Sequence, residues 1–143
     1  SREVITENTA FLMANLLQGV VDEGTGRRLR FRYGFKNQIG GKTGTTQNHS
    51  DGWFIGITPD LAGGVWVGAE DRSIHFQNLA NGQGASMALP IWALFMQKVY
   101  ADKSLAVPQS DFQKPNGVNH VLDCGDADRE GMMDYDSSDE IFD

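Results

Sequence analysis

Residues 40–70 have the sequence GGKTGTTQNHSDGWFIGITPDLAGGVWVGAE, and the architecture of the chain follows from this run. The segment KTGTTQ within it carries three β-branched threonines and a glycine, a composition that disfavours a helix and favours a strand. On an exposed edge strand, side chains alternate between two faces. We therefore expect one face to carry Lys42 with Gly44 and the other Thr43 with Thr45.

The segment 51–70 is predicted to form an antiparallel hairpin. In DGWFIGITPD the side chains alternate between two faces, with Trp53, Ile55 and Ile57 on one of them. TPDLAGG supplies the turn, because Pro59 fixes φ and the glycines permit a reversal. The following GVWVGAE again has the composition of a strand.

Helices are predicted on both sides of the strands. Apolar residues at three- and four-residue spacing predict the first helix over 6–22, capped by Thr6 or Asn8. The second is predicted over 85–100, with Pro90 near its start and these residues at helical spacing: Met87, Ile91, Leu94, Phe95 and Lys98. The order helix, irregular segment, three strands, helix predicts an α+β fold, a small antiparallel sheet flanked by helices.

The connecting segments carry fewer signals. GTG at 24–26 predicts a turn in which a positive φ is tolerated. RRLRFRYGFK at 27–36 has no clean period, and its arginines favour a solvated face over the alternative of an anion site. Residues 71–84 are polar and rich in glycine, which predicts a loop.

Composition limits the classes of function. A length of 143 residues favours one domain, and a net charge of -7 with a pI near 4.8 argues against a nucleic acid partner. No apolar run is long enough to span a membrane and no signal-peptide pattern is present, so any membrane anchor is expected outside this chain. The single cysteine, Cys124, and the histidines show no metal-ligand spacing, so neither a metal nor a cofactor is expected.

The C-terminal segment 104–143 differs from the rest of the chain. From Asp111 onward there are ten acidic residues and only two basic ones, Lys114 and Arg129, and no apolar stripe recurs. We expect a mostly disordered tail or linker over 104–143, with an acidic docking tail as the alternative.

Two chemistries are open to the run GGKTGTT. A phosphate-binding P-loop needs a glycine five residues before Gly41 and a helix starting at Lys42, but Lys36 stands at the first position and threonines follow. The other chemistry is the K-T-G element of serine acyl-transferases, in which lysine supplies positive potential and the threonine hydroxyls supply directional donors. The second fits this sequence.

In order and spacing, GKTGTT, DGWFIGITPDL, VWVG and ALPIW resemble the end of the transpeptidase domain of class A, bifunctional penicillin-binding proteins, over roughly residues 4–103. The resemblance implies a partial penicillin-binding protein/serine β-lactamase-like fold, with 1–103 as the C-terminal portion of that domain and 104–143 as the tail. It implies part of a peptidoglycan D,D-transpeptidase that cross-links stem peptides through a serine acyl-enzyme and is acylated by β-lactams. Such an enzyme would lie on the periplasmic face of the inner membrane, anchored by a segment outside this chain, with a glycosyltransferase domain elsewhere.

Carried over to this sequence, the resemblance implies roles for four residues. Lys42 would position the substrate carboxylate and tune the proton relay, and the backbone N–H of Thr45 would be an oxyanion-hole donor. Thr43 and Thr45 would hydrogen-bond the terminal carboxylate of D-Ala-D-Ala or of a β-lactam, and Gly44 would keep the strand close enough. Packing roles are expected for the large aromatic residues Trp53, Phe54, Trp66 and Trp92.

The nucleophile of the family is missing from this sequence. No serine has a lysine three positions later or an asparagine two positions later, so neither S-x-x-K nor S-x-N occurs. We therefore expect the isolated chain to be inactive and to need the remainder of the transpeptidase domain, in cis, to cover the strand edge at 64–70. The alternatives are a non-catalytic carboxylate- or peptidoglycan-binding module and the D,D-carboxypeptidase or β-lactamase branch of the same fold.

Overall fold

The computed structural model describes residues 4–118 of the chain. Along this part the helices and strands follow in the order α1 (Glu7–Asp22), α2 (Arg28–Phe31), β1 (Gly40–Thr45), β2 (Gly52–Ile57), β3 (Ala62–Val67), α3 (Leu79–Gly82) and α4 (Gly84–Ala101). The predicted α+β layout is confirmed. The short helices α2 and α3 fall in segments predicted to be irregular.

The strands form an antiparallel sheet in the order β1-β2-β3, so β1 and β3 are its edges within the described residues. Thr43 pairs with Phe54, and Trp53 pairs with Trp66. The predicted alternation in β2 is present, because Phe54 is fully buried whereas Trp53 and Ile55 are about half exposed. One face of the sheet thus packs on the core, and the other is largely open.

Helix α1 begins and ends near the predicted positions. The hydroxyl of Thr6 accepts a hydrogen bond from the Thr9 N–H, which caps the helix. The predicted reason for GTG at 24–26 is wrong, because the positive-φ glycines of the described residues are Gly34 and Gly117. Gly24 and Gly26 serve close approach instead, since a Cβ on either would press on the backbone of Val20.

Helix α4 covers the buried face of the sheet, and of the five residues predicted at helical spacing only Met87 is buried. Ile91, Leu94 and Phe95 are at least half exposed. The side chains that pack in the core are Leu89, Trp92, Ala93, Met96 and Val99. Because α4 is apolar on most of its circumference, the spacing of apolar residues alone does not single out the buried side.

Trp92 lies at the centre of the core. Its ring and the Phe54 ring form a T-shaped pair with centroids 5.4 Å apart, and its centroid lies 6.2 Å from that of the Phe35 ring. Gly56 and Gly63, paired across β2 and β3, make room for the indole, because a Cβ at Gly56 would stand 2.5 Å from it. Gly63 of the predicted turn therefore serves packing, whereas Thr58 and Leu61 close the turn through N–H to O bonds.

Part of the predicted tail belongs to the described residues. The Phe112 N–H donates to the side-chain oxygen of Gln38 at 2.8 Å, and Val118 is buried. Residues 112–116 and the first turns of α1 line a groove of about 650 Å³ that also touches Ile57. Residues 112–118 thus contact the domain. Residues 119–143, with Cys124, lie outside the described part, and the domain boundary at 103 stays a prediction.

Among the helices of residues 4–118, none has the length and apolar character needed to cross a membrane.

Candidate active site on the edge strand

Strand β1 presents alternate peptide groups to an open edge. The Thr46 N–H donates to the main-chain carbonyl oxygen of Asp51 at 3.0 Å, so these two residues form a hydrogen-bonded pair. The pair lies next to the one formed by Thr45 and Gly52. In an antiparallel ladder, hydrogen-bonded and non-hydrogen-bonded pairs alternate, so Thr45 and Thr43 belong to the second kind. Their N–H and C=O groups point away from β2, toward the side where no other described strand lies.

Lys42 is exposed and its ammonium lies at this open edge. Its Nζ donates to the carbonyl oxygen of Thr43 at 2.8 Å, and no carboxylate within residues 4–118 forms a salt bridge with it. Lys42 lies inside a strand, not at the start of a helix, so the P-loop alternative has no support in the fold. The site thus offers a positive charge beside free backbone donors.

The hydroxyl of Thr43 has a partner from another element. Its Oγ1 lies 2.8 Å from the Oγ1 of Thr25, which stands in the turn after α1. The packing of α1 along β1 brings these two residues together, although they are 18 positions apart in sequence. Sequence reasoning missed Thr25. Its position between two glycines marked a turn but did not indicate the contact with Thr43.

The hydroxyl of Thr45 is also held. The Gly84 N–H, at the start of α4, donates to the Thr45 Oγ1 at 3.0 Å. A backbone N–H can only donate, so the hydroxyl hydrogen of the exposed Thr45 stays available for another acceptor. Gly84 was not predicted as a site residue, because its spacing in NGQG carries no signal of this contact.

Gly44 lies on the opposite face from the two threonines. It pairs with Trp53, and a Cβ at this position would lie 3.2 Å from the Trp53 Cβ, a tight contact. A larger residue would press on the neighbouring strand.

The connection from β1 to β2 is fixed by a small polar cluster. Asp51 is buried, and its carboxylate accepts hydrogen bonds from the hydroxyls of Thr46 and Ser50, each at 3.2 Å. The Asp51 N–H donates in turn to Thr46 Oγ1 at 2.9 Å. These contacts hold the end of β1 in place directly after Thr45.

Other polar residues have structural partners. Arg28 donates through Nη1 to the Ala85 oxygen and to the Ser86 hydroxyl, both at 2.9 Å, which ties α2 to the first turn of α4. No group of His, Cys, Asp and Glu side chains that could hold a metal ion occurs within residues 4–118.

An apolar strip on the open face of the sheet lies next to Lys42. It consists of Trp53, Ile55 and Trp66, which are 44–51% exposed, and the two indole rings are 6.5 Å apart between centroids. Packing roles were predicted for the tryptophans, but in the described part only Trp92 is buried. Three large apolar side chains in a row on one face are typical of a surface that another segment covers.

Comparisons with known proteins agree with the family that the sequence resembles. The family model described as the penicillin binding protein transpeptidase domain matches residues 1–87. Penicillin-binding protein 1A of Pseudomonas aeruginosa is 35% identical over 120 residues, which are 82% of this chain and 13% of that protein. Penicillin-binding protein 2D of Bacillus subtilis is 33% identical over 127 residues, covering 84% of this chain and 17% of that protein.

The fold has a counterpart among solved structures. The crystal structure of penicillin-binding protein 1A from Haemophilus influenzae superposes with a TM-score of 0.67 at 29% identity, over 81% of this chain and 17% of that one. The chain therefore spans less than a fifth of the length of these relatives. The predicted partial penicillin-binding protein fold is confirmed, and the chain belongs to the transpeptidase domain family of the penicillin-binding proteins.

Proposed function

We propose that this chain supplies the substrate-binding strand of a peptidoglycan D,D-transpeptidase. The observation that carries the proposal is the open edge of β1, where the Thr45 N–H points away from β2 and the Lys42 ammonium is hydrogen-bonded to the Thr43 carbonyl oxygen. Acyl transfer needs a donor for the developing oxyanion and a cation near the reacting groups. The family relationship favours the same reaction.

The proposed reaction begins with a serine hydroxyl from a segment outside this chain. Its oxygen attacks the carbonyl carbon of the penultimate D-alanine of a stem peptide, and the Thr45 N–H stabilises the resulting oxyanion. A single donor of this kind typically contributes about 3 kcal/mol to the transition state. The C–N bond then breaks, and the serine proton leaves with the terminal D-alanine. An acceptor amine next attacks the acyl carbon and forms the new amide bond, the ester C–O bond breaks, and one amine proton returns to the serine oxygen.

In this proposal Thr43 and Thr45 bind the terminal carboxylate of the substrate. The hydroxyls of Thr43 and Thr45 share one face of β1, and each can donate to the terminal carboxylate of D-Ala-D-Ala or of a β-lactam. Lys42 adds positive potential and tunes the proton relay. Gly44 keeps β1 and β2 close, which holds the threonines in register.

The remainder of the transpeptidase domain, in cis, is the proposed partner that covers the apolar strip and the free edge of β3. The full protein would act on the periplasmic face of the inner membrane, held by a segment outside this chain and joined to a glycosyltransferase domain. In this proposal the isolated chain has no acyl-transfer activity.

A labelling experiment tests the proposal. It uses the reconstituted domain, meaning a complete class A transpeptidase domain in which residues 1–143 replace the matching segment. We expect a fluorescent penicillin to label the reconstituted domain, and Lys42→Ala to slow labelling at least about 100-fold. Lys36→Ala, which removes another exposed lysine, is the matched control and should change nothing.

Two outcomes would contradict the proposal. A covalent adduct on the isolated chain would place the nucleophile within these 143 residues. Failure of the reconstituted domain to react, although it is folded by circular dichroism, would remove the transpeptidase assignment.

A further inference from the structure

We propose that Thr25 is a positioning residue for carboxylate recognition and acts through the hydroxyl of Thr43; the inference rests on the proposed function of β1. The two hydroxyl oxygens are 2.8 Å apart, and either could donate in the free protein. Within residues 4–118 the side chain of Thr25 has one hydrogen-bond partner, Thr43, and the proposed reaction assigns no chemistry to Thr25 itself.

The direction of this hydrogen bond follows from the ligand. A carboxylate only accepts hydrogen bonds, so Thr43 must donate its hydroxyl hydrogen to the ligand. Thr43 Oγ1 can then only accept from Thr25, which makes Thr25 the donor in the bound state. The hydrogen bond that Thr25 donates to Thr43 polarises the Thr43 hydroxyl and so strengthens its hydrogen bond to the carboxylate. It also fixes the Thr43 rotamer.

The turn that carries Thr25 has little freedom. The Gly26 N–H donates to the Val20 oxygen at 2.9 Å, and the Gly24 N–H donates to the Gly19 oxygen at 3.1 Å. A Cβ on Gly24 would stand 2.9 Å from Val20 backbone atoms. Both flanking glycines therefore let the turn close tightly on the end of α1, and the Thr25 hydroxyl is held toward β1.

The second threonine of the site has a parallel arrangement. Thr45 Oγ1 accepts from the Gly84 N–H at 3.0 Å, which leaves its hydrogen for a ligand. Each of the two hydroxyls on this face of β1 thus has one hydrogen-bond partner on a neighbouring element.

The test compares two forms of one penicillin on the reconstituted domain. For the free acid, we expect Thr25→Val to lower the second-order acylation rate about three- to tenfold, the effect of one hydrogen bond. For the methyl ester of the same penicillin, which lacks the negative charge, the rate should change less than about twofold. Thr25→Ser keeps the hydroxyl and should restore the rate with the free acid.

Matched variants separate the possible outcomes. Thr9→Val removes another exposed threonine–threonine hydrogen bond, the 2.9 Å contact with Thr6, and should leave both rates unchanged. Equal slowing of acid and ester by Thr25→Val, or no slowing of the acid, would overturn the proposal. If Thr43→Val also fails to lower the acylation rate with the free acid, both the carboxylate-binding role of β1 and the role of Thr25 are wrong. If Thr43→Val lowers that rate and Thr25→Val does not, only the role of Thr25 is wrong.

Discussion

The backbone N–H of Gly84 donates to the hydroxyl of Thr45, and this bond joins the start of α4 to the end of the substrate-binding strand. The contact requires a glycine, because a Cβ at position 84 would overlap the carbonyl oxygens of Trp53 and Gly44. This hydrogen bond therefore fixes the position of the core helix α4 relative to the strand that carries the proposed chemistry.

Gly84→Ala should disturb this contact between α4 and β1. We expect the reconstituted domain to lose about 1–3 kcal/mol of unfolding free energy, because the added methyl group has no space. Gly19→Ala is the matched control: a Cβ there has no neighbour within 4 Å, and the change should stabilise α1 by about 0.5–1 kcal/mol. Urea unfolding of both variants checks the pair, and a Gly84→Ala protein as stable as the parent would contradict the packing argument.

Arg28→Ala should weaken the attachment of α2 to α4. Arg28 is half-buried and its guanidinium donates to two oxygens on α4, so its loss should cost about 1–3 kcal/mol of stability. Arg27→Ala removes an exposed arginine next to it and should cost less than about 0.5 kcal/mol. Thermal unfolding of the reconstituted domain distinguishes the two, and equal melting temperatures would show that the Arg28 contacts are dispensable.

Ile55→Lys tests whether another segment covers the apolar strip. In the isolated chain, where Ile55 is half exposed, the lysine should raise solubility. In the reconstituted domain it should prevent folding or lower its stability by several kcal/mol, because a covered lysine charge loses its hydration. Phe31→Lys, at a residue that is 70% exposed on α2, should be tolerated in both proteins. Equal tolerance of Ile55→Lys in the reconstituted domain would mean that the strip stays open.

Tyr100→Phe should change how stability depends on alkaline pH. Burial raises the pKa of Tyr100 above its ordinary value near 10, while the hydrogen bond from Asn37 opposes the rise. Because the folded-state pKa is the higher one, the stabilisation is fully present below about pH 10 and is lost as the pH rises through the folded-state value. The Phe variant loses the Asn37 bond at neutral pH, about 1 kcal/mol, but lacks this alkaline decline.

Unfolding free energies of the parent and the Tyr100→Phe variant, measured between pH 8 and pH 11, check this. The gap between the two proteins should narrow above pH 10. A gap that is constant across the range would show that the phenol ionises equally easily in both states.

The sheet could be predicted from the sequence because its signals are local. The alternation of Trp53 and Ile55 with the buried Phe54 follows from the geometry of a strand, and the extended conformation of KTGT follows from its threonines. The placement of Lys42 and Thr45 on an edge strand was likewise predicted, together with the family.

The buried side of α4 could not be predicted in the same way. Leu94 and Phe95 have the same apolar character as Trp92 and Met96, and helical spacing alone does not separate them. The choice depends on the space over Gly56 and Gly63, which exists only after β2 and β3 have paired. The partners Thr25 and Gly84 were missed for the same reason, since both contacts join segments distant in sequence.

The groove shared by the first turns of α1 and residues 112–116 places the two ends of the described part at one corner, next to Ile57. Ile57 pairs with Gly40, at the opposite end of β1 from Thr45. Five residue steps along a strand amount to roughly 17 Å. An exchange of segments with a homologous enzyme that joins the chains near Glu7 and Asn116 would therefore place both junctions at a single corner, remote from the proposed chemistry.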